Sequence, residues 1–286
     1  MTSGTQVVFS YQDAYFNIHH TISENSEPPY AKLHLHNMYE LYCFIDGSGT
    51  FTVEGTTYPL ESGTIILMRP GEAHSVKIDP SKRYERKAVH FDPGFFCCES
   101  DSLSDILSTF ETDEIEKCNC FVCGEKTEFY LKLLDEITNP KLVTKKEKLT
   151  SIRANLPALL YGLSVSRREN NFVNESTSDR LVWKIIQFID RNLENDWTLD
   201  TLAETLYRDK AYLNRRFRKV MGTSIWDYTI RKRIVCAQRE IYRSGNIGDA
   251  FKASGFKDYS TFFRNYQRIN GAAPSDDAKT REQRDT

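Results

Sequence analysis

The sequence predicts a multidomain α+β chain, with a front part of short β-strands, a helical segment behind it and an all-α back part. Three observations lead there. Between residues 5 and 92, β-rich runs stop at Gly or Pro turns about every eight to twelve residues. From residue 128 the apolar residues recur at intervals of three and four, the helical period. The charge also divides, because residues 1–178 carry 17 Lys+Arg against 25 Asp+Glu and residues 179–273 carry 18 against 11. All six histidines lie within the first 90 residues and all three tryptophans beyond residue 180. An acidic, His-bearing front and a basic back point to a sensor joined to a polyanion binder. At 286 residues there is room for two or three cores, and 40% hydrophobic content with 27% charged is ordinary globular composition.

The strand signals come first along the chain. Leu41–Ile45 stops at Asp46-Gly47, Thr50–Val53 at Glu54-Gly55, Thr64–Met68 at Pro70-Gly71, and Ala88–Phe91 at Asp92-Pro93. Such runs build a sandwich or barrel, here expected over residues 1–124. Glu128–Thr138 then carries Phe129, Leu133, Leu134 and Ile137 at helical spacing. Lys148–Leu163 places Leu149, Ile152, Leu156, Leu159 and Leu163 on one seam, with Pro157 expected to kink it. That seam predicts a helical dimerisation segment over 125–166, the alternative being a helix packed back on its own barrel. Residues 167–178, polar and without periodicity, read as a linker.

Beyond the linker the periodicity is helical. Val182, Ile185, Ile186, Ile189 and Leu193 line one face; Thr198 is placed to cap the next helix, whose buried face is Leu199, Leu202, Ala203 and Leu206. Asp209 caps Lys210–Val220, which ends at Gly222. On that helix Leu213, Phe217 and Val220 form the apolar stripe, and Asn214, Arg215, Arg218 and Lys219 lie off it. A short helix, a tight link and a basic amphipathic helix make a helix-turn-helix, whose second helix can enter the major groove. The pattern recurs: after a long helix, about Ile225–Arg243, come a short helix, Ile247–Ser254, and a turn. Asp258 then caps Tyr259–Ile269, where Phe262, Phe263 and Tyr266 form the core side and Ser260, Thr261, Arg264 and Asn265 remain for contact.

Residues 179–274 resemble the double helix-turn-helix domain of AraC-type transcriptional regulators. The text that carries the resemblance is A-Y-L-N-R-R-F-R-K-V-M-G, G-F-K-D-Y-S-T-F-F-R-N-Y and the following G-A-A-P. It implies that Ala211, Asn214 and Arg215 face bases from the first reading helix, and Tyr259, Ser260 and Arg264 from the second. It also implies promoter DNA, RNA polymerase, a second copy of the chain and a small-molecule effector, such as a carbohydrate, as partners. Two departures stand out. Ala250-Phe251 replaces a large aliphatic followed by Ala, and Pro274-Ser275-Asp276-Asp277 lacks the family's aromatic-Arg finish, so 275–286 is expected to be a flexible tail.

In the front part, His34-x-His36-x-x-x-Glu40 followed by Gly47 resembles the first cupin motif, and Gly63 through Pro70-Gly71 to His74 the second. The resemblance implies a cupin-like barrel. In metal-bearing cupins the positions of His34, His36, Glu40 and His74 supply three imidazoles and one carboxylate. In sensor barrels of the AraC type the same residues also serve, without metal, as pocket lining or strand-end hydrogen-bonders, so metal, effector pocket and structural roles all stand open. His19, His20 and His90 match no ligand spacing. No cofactor and no catalytic residue is expected.

Cys118, Cys120 and Cys123 form C-x-C-x-x-C downstream of Cys97–Cys98, without the second knuckle of a zinc site, and are expected to be free thiols. The first residues show neither a basic n-region nor an apolar h-region, and no run of about 18 apolar residues exists, so the expected place is the cytoplasm, off any membrane. Two functions compete: a ligand-responsive transcription factor, and a metal-dependent cupin enzyme (isomerase or dioxygenase) with a basic helical appendage. An enzyme has no need of two reading helices with matched caps, and the regulator reading is preferred.

Overall fold

Alternation along the strands sends successive side chains to opposite faces, and in this chain both faces of one sheet find a partner. The computed structural model describes residues 4–24, 33–96, 106–108, 110, 119–121, 124–168 and 177–282. Its strands are β1 (Gly4–Gln12), β2 (Phe16–Glu24), β3 (Tyr39–Asp46), β4 (Gly49–Val53), β5 (Thr56–Pro59), β6 (Ile65–Met68), β7 (His74–Ile78), β8 (Tyr84–Phe91), β9 (Cys120–Phe121) and β10 (Thr177–Ser178). They form a six-stranded sheet in the order β1-β2-β8-β3-β6-β9 and a four-stranded sheet in the order β10-β5-β4-β7. Tyr42, Phe44, Ile66 and Tyr84 of the first sheet pack against Phe51, Val53, Tyr58 and Val76 of the second, closing the lumen.

The opposite face of the large sheet, through Tyr39, Leu41, Val89 and Phe91, packs on two helices, α1 (Thr127–Ile137) and α2 (Lys145–Arg168). This decides the fate of the apolar seam. Ile152, Leu156, Leu159 and Leu163 are completely buried in the same cluster as the sheet. The seam therefore belongs to the monomer's core and presents no face to a second copy, which corrects the expected dimer contact. The helix continues through Pro157.

The expected linker is shorter than its 167–178 span. Arg167 ends in α2, and Thr177 and Ser178 pair with Thr57 and Thr56 of β5, so that β10 joins the four-stranded sheet. Cys120 is buried in β9, whereas Cys118 and Cys123 lie outside the described residues.

The back part is all-α: α3 (Arg180–Arg191), α4 (Leu199–Leu206), α5 (Lys210–Met221), α6 (Ile225–Ser244), α7 (Ile247–Ala253), α8 (Tyr259–Asn270) and α9 (Pro274–Glu282). The starts of α3 to α8 have side-chain caps for otherwise unpaired N–H groups, supplied in turn by Asp179, Thr198, Asp209, Ser224, Asn246 and Asp258. Gly222 ends α5 in the left-handed conformation, φ 71°. Two small cores result. Leu202, Leu213, Phe217 and Tyr228 belong to the first, Ile234, Ile241, Ala250, Phe262 and Tyr266 to the second, and α6 runs through both. At the unusual Ala250-Phe251 pair, Ala250 is fully buried and the Phe251 ring packs beside Tyr259 and Phe262.

The expected flexible tail is instead largely helix. In α9, Asp277 accepts hydrogen bonds from Tyr266 (2.5 Å), Tyr242 (3.0 Å) and Gln238 (2.9 Å). The attachment is polar, so the apolar periodicity that reveals other helices is missing.

Candidate functional site

Glu40 lies directly opposite His90 in the β3–β8 ladder, so their side chains share the lumen face. His34 forms an isolated bridge with His74, the backbone N–H of each donating to the other's carbonyl at 3.0 Å. These pairings bring the four histidines to one end of the lumen. His36 Nε2 is 2.9 Å, His74 Nε2 3.1 Å and His90 Nε2 3.2 Å from Oε2 of Glu40, and the rings of His34 and His74 are 4.2 Å apart. All four expected residues therefore meet, and His90, which no motif spacing marked, joins them. Its signal was the cross-strand register, which pairs segments 50 residues apart and is not written in local spacing.

The ring orientations are fixed. Nδ1 of His36 lies 2.8 Å from the Met38 carbonyl, Nδ1 of His74 2.8 Å from that of Glu72, and Nδ1 of His90 2.9 Å from that of Asn17. A carbonyl only accepts, so each Nδ1 carries a hydrogen and each ring turns its Nε2 toward the carboxylate. His74 Nε2 is completely buried beside Glu40. Burial works against the Glu40 charge, but His90, His36 and His74 outweigh it and hold its carboxyl well below the usual range. Burial lowers the His36 imidazole, while for His90 Glu40 overcomes burial and raises it. Two overlapping groups could each hold a metal ion: His34, Glu40 and His74, and His36, Glu40 and His90.

The same face of the large sheet is polar. Thr21 opposes Arg86 and Asn17 opposes His90 across β2–β8, Thr21 and Arg86 are buried, and Tyr42 and Tyr84 hydroxyls are 3.0 Å apart. His19 shares this face, whereas His20 points to the other side, where its ring meets Glu85 at 2.8 Å.

This end of the barrel abuts the helical part. Leu33 and Leu35, which alternate with His34 and His36, pack with Ala73 on the first helical core. The tip of the β4–β5 hairpin enters beside them. Gly55 is held at φ 79°, and a Cβ there would come within 3.0 Å of Val182 in α3, so a side chain would be both strained and crowded. Next to it, Glu54 accepts from the Tyr228 hydroxyl at 2.6 Å and from the Ala73 N–H at 2.6 Å. Lys232 is 3.4 Å from Glu54 and donates to Asp190 at 2.7 Å. Burial opposes the Lys232 charge, but Asp190 and Glu54 outweigh it and raise its ammonium above the ordinary range; burial pushes the Glu54 carboxyl up.

On the reading helices, Ala211, Arg215 and Arg218 are exposed on α5, and Tyr259, Ser260 and Arg264 on α8. Thr261 is half-buried. The two asparagines are partly tied to the protein: Asn214 Oδ1 accepts from the Ile225 N–H at 3.1 Å, and Asn265 donates to the Thr261 carbonyl at 2.8 Å. Arg216 pairs with Asp179 at 2.5 Å, anchoring α5 to α3.

A two-sheet lumen with convergent polar groups, carried beside two capped helix-turn-helix units, defines a ligand-responsive, DNA-binding regulator. Comparison with known proteins agrees. Residues 17–119 match the AraC-like ligand binding domain and residues 202–280 a helix-turn-helix domain. The chain is 30% identical over 114 residues to the HTH-type transcriptional activator AarP of Providencia stuartii, covering 40% of this chain and 81% of AarP. It is 24% identical over 238 residues to the lactose operon transcription activator of Staphylococcus xylosus, covering 80% and 79%. Among solved structures it is similar to ToxT of Vibrio cholerae, at 15% identity and TM-score 0.40, covering 93% of this chain and 98% of ToxT. The chain belongs to the AraC family of transcriptional regulators.

Proposed function

We propose that this regulator reads promoter DNA with α5 and α8 and responds to a small polar molecule held on the lumen face of the six-stranded sheet. The paired construction of the helical part carries the first half. Asp209 and Asp258 cap two helices of 12 residues each, and each presents an arginine and small or aromatic contacts to solvent. Arg215 and Arg264 are assigned to base edges, while Ala211, Arg218, Tyr259, Ser260 and Thr261 complete the two surfaces. Asn214 and Asn265 retain part of their amide for DNA while bracing their helices. The hydroxyl, imidazole and guanidinium groups of the lumen suit a hydroxylated effector, and a carbohydrate accords with the name of the Staphylococcus relative. The chain acts in the cytoplasm as a homodimer that engages RNA polymerase at the promoter. No helix among the described residues is long and apolar enough to cross a membrane.

Binding of the full chain to promoter duplex should weaken steeply with salt, because phosphate contacts release counterions. Arg215→Ala and Arg264→Ala should each cost about 1–3 kcal/mol and relax preference at its own half-site. Equal losses on every sequence would instead assign both arginines to phosphates.

A further inference from the structure

We propose that Asp227, in the first turn of α6, is a specificity-determining residue: by holding Arg268 of α8 it sets the separation of the two reading helices, and so the spacing of the DNA segments they accept. The inference rests on the two-helix reading above and deepens it. Helix α5 belongs to the first helical core and α8 to the second, and among the described residues only α6 contributes to both. Apolar packing joins α8 to the later turns of α6, where Phe262 and Tyr266 share a core with Ile234, Ala237 and Ile241. A single apolar patch leaves a helix free to pivot.

Asp227 adds a second tie at the opposite end of α6. Its Oδ1 accepts from Nη1 and Nη2 of Arg268, in the last turn of α8, both at 3.2 Å. Its Oδ2 accepts from Nε of Arg231 at 2.8 Å and from the Thr223 hydroxyl at 3.0 Å, and its N–H donates to the capping Ser224 hydroxyl at 3.1 Å. Burial works against the Asp227 charge, but Arg231, Thr223 and Arg268 outweigh it and lower its carboxyl. A carboxylate with both oxygens engaged by charged donors is a fixed point.

The tie continues to both reading surfaces. The Ile225 N–H donates to Asn214 of α5, and Nη2 of Arg268 donates at 3.1 Å to Oδ1 of Asn265, whose amide donates to the Thr261 carbonyl. Hydrogen bonds thus connect α5 to α8 through the first turn of α6. Each base pair inserted between two segments moves the second by about 3.4 Å along the duplex and about 34–36° around it. Helices held at one separation therefore accept one spacing.

The test measures dissociation constants of the full chain for duplexes carrying its two selected segments at the preferred spacing, and at one base pair more or less. The wild type should favour the preferred spacing. Arg268 is half-exposed, and such pairs add little to stability, so Asp227→Ala and Arg268→Ala should keep the fold by circular dichroism. Each should shrink the spacing preference by roughly two- to fivefold, the range of one partly exposed ion pair, while preference within each segment stays. The double variant should lose no more than either single one, because both remove the same contact. Asp249→Ala, which breaks the exposed Lys252–Asp249 pair of α7 and makes the same charge change, should leave the spacing preference intact. An unchanged preference in Asp227→Ala, additive losses in the double variant, or an equal loss in Asp249→Ala overturns the proposal. So does lost preference within a segment, which would place Asp227 on the reading surface itself, and so does a wild type that binds all three spacings alike. A wild type that selects no pair of segments contradicts instead the two-helix reading on which the proposal rests.

Discussion

Glu54 is one of two non-glycine residues among those described with positive φ, at 48°, and its side chain explains why the position is not Asn or Gly. A two-residue hairpin between β4 and β5 requires left-handed backbone at its tip, which costs a non-glycine residue about 1–3 kcal/mol. The carboxylate offsets this by accepting from Tyr228 and Ala73 and facing Lys232. Tyr228→Phe keeps the packing and removes one bond to a charged acceptor, so it should destabilise the chain by about 1.5–3 kcal/mol in denaturant unfolding. No measurable loss would place Glu54 outside the interface. In the sequence Glu54-Gly55 reads as an ordinary turn, because Tyr228 and Lys232 lie more than 170 positions away. The resemblance to the cupin motifs singles out His34, His36, Glu40 and His74 but not His90, which the strand register alone sets opposite Glu40.

At the scale of elements, local rules carried furthest where each helix supplies its own signal. The caps Thr198, Asp209 and Asp258 were readable because a cap acts within three residues. Periodicity found α2 but could not say what covers it, since an intramolecular and an intermolecular seam share one pattern. The structure places Leu156 in the core, so Leu156→Ala should cost about 2–5 kcal/mol in unfolding free energy and leave the oligomeric state of the folded protein unchanged. A dimer must therefore use another face. Phe129 of α1 and Tyr161 of α2 are more than half exposed and neighbour the close approach of Tyr130 to Gly162. Tyr161→Asp should lower the sedimentation coefficient toward that of a monomer while preserving the fold; an unchanged coefficient would move the dimer surface elsewhere. The helix α9 escaped the sequence because Asp277, rather than an apolar stripe, attaches it.

For the whole molecule, the charge division follows the division of labour. The −8 balance of residues 1–178 lies with the lumen, and the +7 balance of residues 179–273 with the helices that meet a polyanion. The two parts share a strand pair, a hairpin tip and one apolar core, so a change at the barrel end reaches α6, which runs through both helix-turn-helix cores. The central claim is that two helices of one chain read DNA together. Selection of duplexes from a random library by the wild type, Arg215→Ala and Arg264→Ala tests it most directly. The wild type should enrich a site with two specified segments whose centres are about 10–10.5 base pairs apart, one helical turn. Arg215→Ala should erase preference at one segment and Arg264→Ala at the other. Enrichment of a single segment, or of none, or the same loss in both variants, would contradict it.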